Sequence, residues 1–322
     1  MKYRQLGATN IQISEIGFGA WGIGGKTQGA TSYGETDDNI SREALLKAFE
    51  RGVNFFDTSN LYGDGHSESL IGKIFKNSRE QVIIATKAGM LAYNVAPDFS
   101  NHNIQLSLDR SLSRLQTDYV DLFQLHNPTK DILRFPDRIS PLIEQLKLKE
   151  KIRAFGISVN SPEEGLLVLK NFELESLQVN FNILDQRVID MDLLSLAQDA
   201  SVSIIARTPL CFGFLAGIVD AKTQLSENDH RSRWPKDKIE AWSKDGLSAW
   251  ECADRSEMQT RVQFALRFCL SFSQVTSVIP GMLTSHEVLE NIKASDLGSL
   301  TDKELNCVYK IYQQHNRRMN KY

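Results

Sequence analysis

The segment Phe55–Glu68, FFDTSNLYGDGHSE, sets an aspartate at the end of an apolar run and a tyrosine five residues beyond it. Two later apolar runs also end in titratable side chains: QVIIATK closes on Lys87 and YVDLFQLH on His126. Asp57, Tyr62, Lys87 and His126 together would make a proton-transfer unit. A phenol has a pKa near ~10, too high for an efficient acid at neutral pH. A neighbouring ammonium favours the phenolate and lowers that value. A buried ammonium tends to lose its proton, and an ion pair with Asp57 opposes the loss. A neutral imidazole at His126 can donate a hydrogen bond to a substrate oxygen and orient it. The set suits protonation of an oxygen that is gaining negative charge, as when a carbonyl accepts hydride. Singly, each residue has an ordinary structural reading: a turn-capping aspartate, a solvated lysine, a satisfied histidine. Their joint placement is what argues for chemistry.

Such side chains need strands that end side by side. Eight short apolar runs recur, at 15–20, 53–58, 81–87, 119–126, 152–158, 176–180, 202–207 and 275–280. They are continuous rather than alternating, as strands buried on both faces should be. Helical spacing marks Asp38–Arg51, His66–Phe75, Asn101–Leu115 and Glu257–Phe272, while SPEE (Ser161–Glu164) and TSHE (Thr284–Glu287) read as capping boxes. A hairpin of YRQL and QISEIGF around GATN opens the chain. Eight strand–helix units in about 280 residues predict an α/β fold, the (β/α)8 TIM barrel, with its chemistry at the C-terminal strand ends. A single barrel domain over residues 1–322 is expected. A doubly wound sheet would want G-x-G-x-x-G after an early strand. GFGAWGIGG (Gly17–Gly25) lacks the third glycine at the right place and is not followed at once by a helix.

Two segments fall outside the repeat. The polar, tryptophan-bearing stretch 221–256 separates the seventh strand from its helix, and long loops in such positions often cover sites. A C-terminal helix begun by Thr301 and Glu304 is expected on the barrel's outside.

Of the 322 residues, 41% are hydrophobic, and the net charge is −3, which argues against a nucleic-acid or membrane-surface partner. No apolar stretch is long enough to span a bilayer, and no basic start leads into an apolar run. A cytoplasmic location is expected. Cys211, Cys252, Cys269 and Cys307 are scattered without a C-x-x-C pair, so reduced buried thiols are expected, with neither disulfide nor metal. The oligomeric state is not legible.

These motifs resemble those of the aldo-keto reductases. FFDTSNLYGDGHSE is similar to that family's Asp-and-Tyr motif, IATK (Ile84–Lys87) to its lysine strand and VDLFQLH (Val120–His126) to its histidine strand. The resemblance runs from LGATNIQISEIGFGAWGIG to IPGMLTSHEVLENI. It implies that Tyr62 donates a proton, that Lys87, Asp57 and His126 complete a tetrad, and that a nicotinamide dinucleotide binds without a Rossmann domain. By the same resemblance Gly19, Ala20 and Trp21 line the nicotinamide and substrate pocket. Ser158 and Gln178 hold the nicotinamide end, with Val159 where the family often has asparagine and Asn160 one place later. TPLCFGFLAG (Thr208–Gly217) would cradle the pyrophosphate. Its Pro209, Leu210, Gly213, Leu215 and Gly217 are expected contacts.

Two departures stand out. Arg207 occupies the position of an aromatic that often stacks on the ring, and a guanidinium can lie flat there too. After Pro280, the segment from Gly281 to Asn291 carries no lysine or arginine, although Glu290 and Asn291 match the adenine-contacting pair. A phosphate dianion without such partners loses its strongest hydrogen bonds. Thr284 and Ser285, at a helix start, could replace them. The family leaning makes NADP(H) the favoured cofactor, with NAD(H) the alternative. Arg231, Arg233 and Trp234 could reach over the pocket, which would suit an anionic or polyol substrate such as a sugar derivative. The expected activity is reduction of an aldehyde or ketone to an alcohol. A cofactor-binding, redox-sensing regulatory subunit is the alternative, and a Schiff-base barrel enzyme using Lys87 is disfavoured by Asp57.

Overall fold

The computed structural model describes residues 1–27, 32–220, 222–254 and 258–319. Two limits of the sequence reading, the ends of the 221–256 stretch and the predicted helix start at Glu257, lie outside them. Strands β1 (Tyr3–Gln5) and β2 (Gln12–Ser14) form the expected antiparallel hairpin. Eight more strands follow: β3 (Phe18–Gly19), β4 (Phe55–Asp57), β5 (Ile83–Ala88), β6 (Val120–His126), β7 (Ile152–Ser158), β8 (Ser176–Asn180), β9 (Ser203–Arg207) and β10 (Val275–Val278). They pair in parallel in sequence order from β3 to β10. The ends meet: Gly17 N donates to Val278 O at 2.8 Å and Gly19 N to Pro280 O at 2.9 Å. The (β/α)8 barrel is therefore closed. Its first strand is much shorter than the expected 15–20 run, and its Gly19 lets the Ile279–Pro280 backbone pass. A Cβ there would lie 2.6 Å from Ile279 O.

Helices fill the crossovers on the outside. His66–Phe75 and Asn101–Leu115 have the bounds their spacing predicts. Thr284 and Glu287 form the full capping box expected of TSHE. SPEE behaves differently: Ser161 caps Glu164 N, but the Glu164 carboxylate accepts from Asn160 N, one residue earlier than the box requires. The helix expected at Glu257–Phe272 runs over Arg261–Leu270, begun by a Thr260–Gln263 capping box.

The barrel interior obeys the two-residue period of a strand. Leu6, Ile11 and Ile13 of the hairpin plug the N-terminal mouth against Phe55, Ala85, Leu122, Ala154, Ile205 and Ile279. Each fully buried leucine, isoleucine or phenylalanine side chain of this plug contributes roughly 1.5–3 kcal/mol. Two residues further along the same strands, on the same inward face, come Asp57, Lys87, Gln124 and Arg207. One layer is thus dry and the next is polar.

The 221–256 stretch contains the helix Lys236–Trp250, which packs on the C-terminal helix Asp302–Met319. His315 Nδ1 meets Asp245 Oδ2 at 2.7 Å between them. The expectation of four reduced thiols is corrected here: Cys252 and Cys307 form a disulfide with Cα atoms 5.6 Å apart, while Cys211 and Cys269 are buried and free. The two partners are 55 residues apart, so only the packing of the two helices brings them together. Among the described residues no helix is long and apolar enough to cross a membrane.

Candidate active site

The polar layer above the plug holds the predicted tetrad residues. Lys87 Nζ donates to Asp57 Oδ1 at 2.5 Å, to Thr58 O at 2.9 Å and to Tyr62 Oη at 3.3 Å. Lys87 is fully buried and Asp57 is 1% exposed. The other carboxylate oxygen of Asp57 accepts from Gln178 Nε2 at 2.8 Å and Gln124 Nε2 at 3.1 Å. Ser158 Oγ reaches Gln178 Oε1 at 3.2 Å. His126 stands edge-on to Tyr62 with ring centroids 6.2 Å apart, and its Nδ1 lies 3.2 Å from Ser59 Oγ.

Tyr62 comes from a loop, so its position needs a different cause. Gly63 adopts φ +63°, and a Cβ on it would fall 2.0 Å from Gly24 O. A Cβ on Gly24 would in turn lie 2.7 Å from the Tyr62 carbonyl carbon. The two backbones touch, and only glycine allows it. The glycine-rich stretch after β3 therefore seats the tyrosine loop against the barrel mouth.

The electrostatics depart from the sequence expectation in one respect. Burial, then the Asp57 carboxylate, push the Tyr62 phenol above its ordinary value, with Arg207 opposing. Lys87 was expected to lower it, but its charge is largely neutralised by contact with Asp57. Burial pulls the Lys87 ammonium down and Asp57 holds it up. Burial, with Lys87 and Arg207 adding, drives the His126 imidazole well below the usual histidine range. At neutral pH the phenol is protonated and the imidazole neutral.

These residues floor a cavity of about 400 Å³. Its wall includes the expected Gly19, Ala20, Trp21, Asp57, Ser158, Gln178 and Arg207 at one end, then Pro209, Leu210 and Gly213, then Pro280 and Gly281. Other expected contacts are not part of that wall. Leu215 is buried in the core, and Gly217 backs onto the Arg261 guanidinium. Thr284 is occupied as a helix cap, its Oγ1 accepting from Glu287 N. Glu290 and Asn291 lie further along the helix Ser285–Ile292, where Asn291 Nδ2 is buried without a partner.

The cover meets the cavity through one turn, His230–Arg233. The His230 ring packs 4.9 Å from Trp21 and 5.1 Å from Tyr33. Arg231 lines the cavity, with its guanidinium 4.8 Å over Tyr33. Arg233 is exposed, and Trp234 packs on Phe212 and Phe214 rather than over the site. Each nitrogen of the Arg231 guanidinium makes one bond: Nε and Nη2 bind Asp229 at 2.9 and 2.6 Å, and Nη1 binds Phe212 O at 2.8 Å.

Several site residues escaped the sequence reading. Gln124 had a signal, since it precedes His126 by two on the same strand face. Tyr33, Tyr93, Asn127 and Phe212 come from loops, where no periodicity marks direction. Glu287 was read only as half of a capping box.

The aldo/keto reductase family model matches residues 15–313. The chain belongs to the aldo/keto reductase family. It is 30% identical to the oxidoreductase YqkF of Bacillus subtilis, over 98% of this chain and 99% of that one. It is 28% identical to the NADH-specific methylglyoxal reductase of Escherichia coli, over 94% of this chain and 96% of that one. In three dimensions it superposes on the holo form of the aldo-keto reductase AKR11C1 from Bacillus halodurans with TM-score 0.77 and 30% identity, covering 97% and 96% of the two chains. The barrel and an oxidoreductase activity on carbonyl compounds follow from that membership.

Proposed function

We propose that this single-domain barrel reduces a small oxygenated aldehyde or ketone to the alcohol, using a nicotinamide dinucleotide, with Tyr62 as proton donor. The observation that carries this reading is the contact of Lys87 Nζ with both Asp57 and Tyr62 at the cavity floor. The cavity residues fit such a cofactor. Ser158 and Gln178 offer polar atoms beside the floor, and a Cβ added to Gly281 would meet nothing within 4 Å, leaving an open channel wall. In the cavity wall, polar atoms of Arg207 and Asn127 are left without partners. Ser158, Gln178 and Arg207 would hold the nicotinamide end and Pro209–Gly213 the pyrophosphate.

When bound, the cofactor supplies hydride. The chain's part is to hold the carbonyl and to supply the proton. A neutral His126 with its proton on Nε2 can hydrogen-bond the substrate oxygen. Burial keeps the Tyr62 phenol protonated until the oxygen beside it gains charge. Lys87, 3.3 Å away, then stabilises the phenolate left by transfer. Asp57 keeps Lys87 charged, and the amides of Gln124 and Gln178 keep Asp57 in place.

Two side chains narrow the ligands. The Glu287 carboxylate accepts from Leu283 N at 2.5 Å and Thr284 N at 3.3 Å. Of the groups expected from sequence to hold a 2′-phosphate, the Thr284 amide is given to this chain's own Glu287 carboxylate and the Thr284 hydroxyl accepts from Glu287 N, while that carboxylate itself lines the cavity and repels a second anion. This supports NAD(H) over NADP(H). The Arg231 charge is already paired with Asp229, so a neutral polar carbonyl is favoured over an anionic one; the similar methylglyoxal reductase takes a compound of that kind.

The test is a carbonyl panel with NADH and NADPH, run on the wild-type chain and on Tyr62→Phe. NADH is expected to bind more tightly than NADPH. Tyr62→Phe is expected to lose about 10²–10⁴-fold in turnover with cofactor affinity nearly unchanged, the usual scale for a general acid. Normal rates in that variant with every substrate would remove Tyr62 from the chemistry.

A further inference from the structure

Arg207 does more than stand in for an aromatic ring. It ends β9 with its guanidinium in the cavity wall, donating from Nη2 to Val159 O at 2.9 Å, while its Nε is buried without a partner. No carboxylate among the described residues comes within ion-pair distance of it. The acids nearest in electrostatic effect are committed elsewhere. Asp57 is bound to Lys87 at 2.5 Å, Asp185 to Arg187 at 2.8 Å, and Glu164 accepts from Asn160 N. His126 is neutral. The charges at the cavity floor are therefore Asp57 at −1, Lys87 at +1 and Arg207 at +1, which leaves one unbalanced positive charge. In a site screened from water such a charge acts more strongly than in bulk solvent on whatever lies against it.

The two oxidation states of a nicotinamide differ by one positive charge, carried by the ring: the pyridinium is cationic and the dihydropyridine neutral. A guanidinium lies favourably on a neutral π face and is repelled by a cationic one. We propose that the unpaired Arg207 guanidinium makes this cavity select the reduced nicotinamide over the oxidised one, so that the bound cofactor is poised for carbonyl reduction and the oxidised product is expelled. The proposal rests on the nicotinamide reading above. It differs from a packing role, because a packing residue would support both oxidation states alike.

The experiment is equilibrium titration of the full-length protein with NADH and with NAD⁺, by calorimetry or tryptophan fluorescence, with no carbonyl present. NADH is expected to bind tighter than NAD⁺ by about tenfold or more, the scale of one modest charge interaction. Arg207→Gln keeps a planar polar group without charge and is expected to bring the two affinities to within about twofold, mainly by tightening NAD⁺. Arg207→Lys is expected to retain the bias. A wild-type ratio near one overturns the proposal even if a variant fails to fold. So does an unchanged ratio in Arg207→Gln with both forms weakened together. If neither form binds the wild-type protein, the nicotinamide reading itself falls and takes this inference with it.

Discussion

The floor of the cavity and its cover are built on different rules. The floor is made by strands. Its polar layer repeats the spacing of the apolar plug beneath it, so Phe55 leads to Asp57, Ala85 to Lys87 and Ile205 to Arg207 by the pleat alone. The cover is made by a turn, a helix and a disulfide that meet only after the chain has folded. His230 and Arg231 reach the cavity because Lys236–Trp250 is anchored to the C-terminal helix, through His315–Asp245 and Cys252–Cys307. The floor carries a buried ion pair, Asp57–Lys87, beside the unpaired Arg207; the cover carries an Arg231 whose charge is already paired with Asp229. Chemistry is expected to depend steeply on the floor and only indirectly on the cover.

Breaking the floor is the harshest test of that contrast. Asp57→Ala leaves the fully buried Lys87 ammonium without a counter-ion, and removing one partner of a buried pair costs about 3–5 kcal/mol. Chemical denaturation is expected to show that loss, and carbonyl reduction should fall with it. A variant as stable as wild type would mean that Lys87 is not held as an ion.

Breaking the cover separates stability from chemistry. Cys252→Ser opens a cross-link between residues 55 apart, which in chain-entropy terms is about 4 kcal/mol at most and more commonly 2–4. Melting of the oxidised wild type and the variant should differ by that order, and reductant should abolish the difference. The turnover number of the variant, measured below its melting range, is expected to stay within about threefold of wild type, far inside the loss of a general acid. A fall comparable to that of Tyr62→Phe would show that the cover takes part in the chemistry.

The smallest effect sharpens the electrostatics of the floor. The folded His126 lies well below the histidine value of ~6.5 that applies in the unfolded chain. Below that pH the unfolded chain takes up a proton that the folded one does not. Stability is then expected to fall as pH drops, by up to ~1.4 kcal/mol per pH unit from this residue. Above that pH its contribution is flat. His126→Asn should reduce the acid slope by about one proton; an unchanged slope would mean that His126 titrates normally.

Much of this site was legible before folding. Asp57, Lys87 and His126 end apolar runs, and a barrel gathers strand ends at one face, so their convergence follows from fold class. Tyr62 was found by its neighbours but placed by Gly24 and Gly63, whose contact is long-range. Gln124 was within reach of the same alternation and was overlooked. The disulfide ran against expectation because Cys252 and Cys307 share no local spacing, and the helix that presents Cys252 was read only as a polar insertion. The lowering of the Tyr62 pKa expected from Lys87 also failed, since a residue type carries a charge but not its burial.

What the amino-acid order determined by itself is what local rules can express: periodicity, caps, strand ends and the identity of the groups delivered there. What tertiary structure alone decided is which charges find partners. Lys87 is neutralised by Asp57 and Arg231 by Asp229, and Glu287 is held by backbone amides, while Arg207 is left without a carboxylate. A charge's effect depends on distance and on the water excluded around it, and neither exists until distant segments pack.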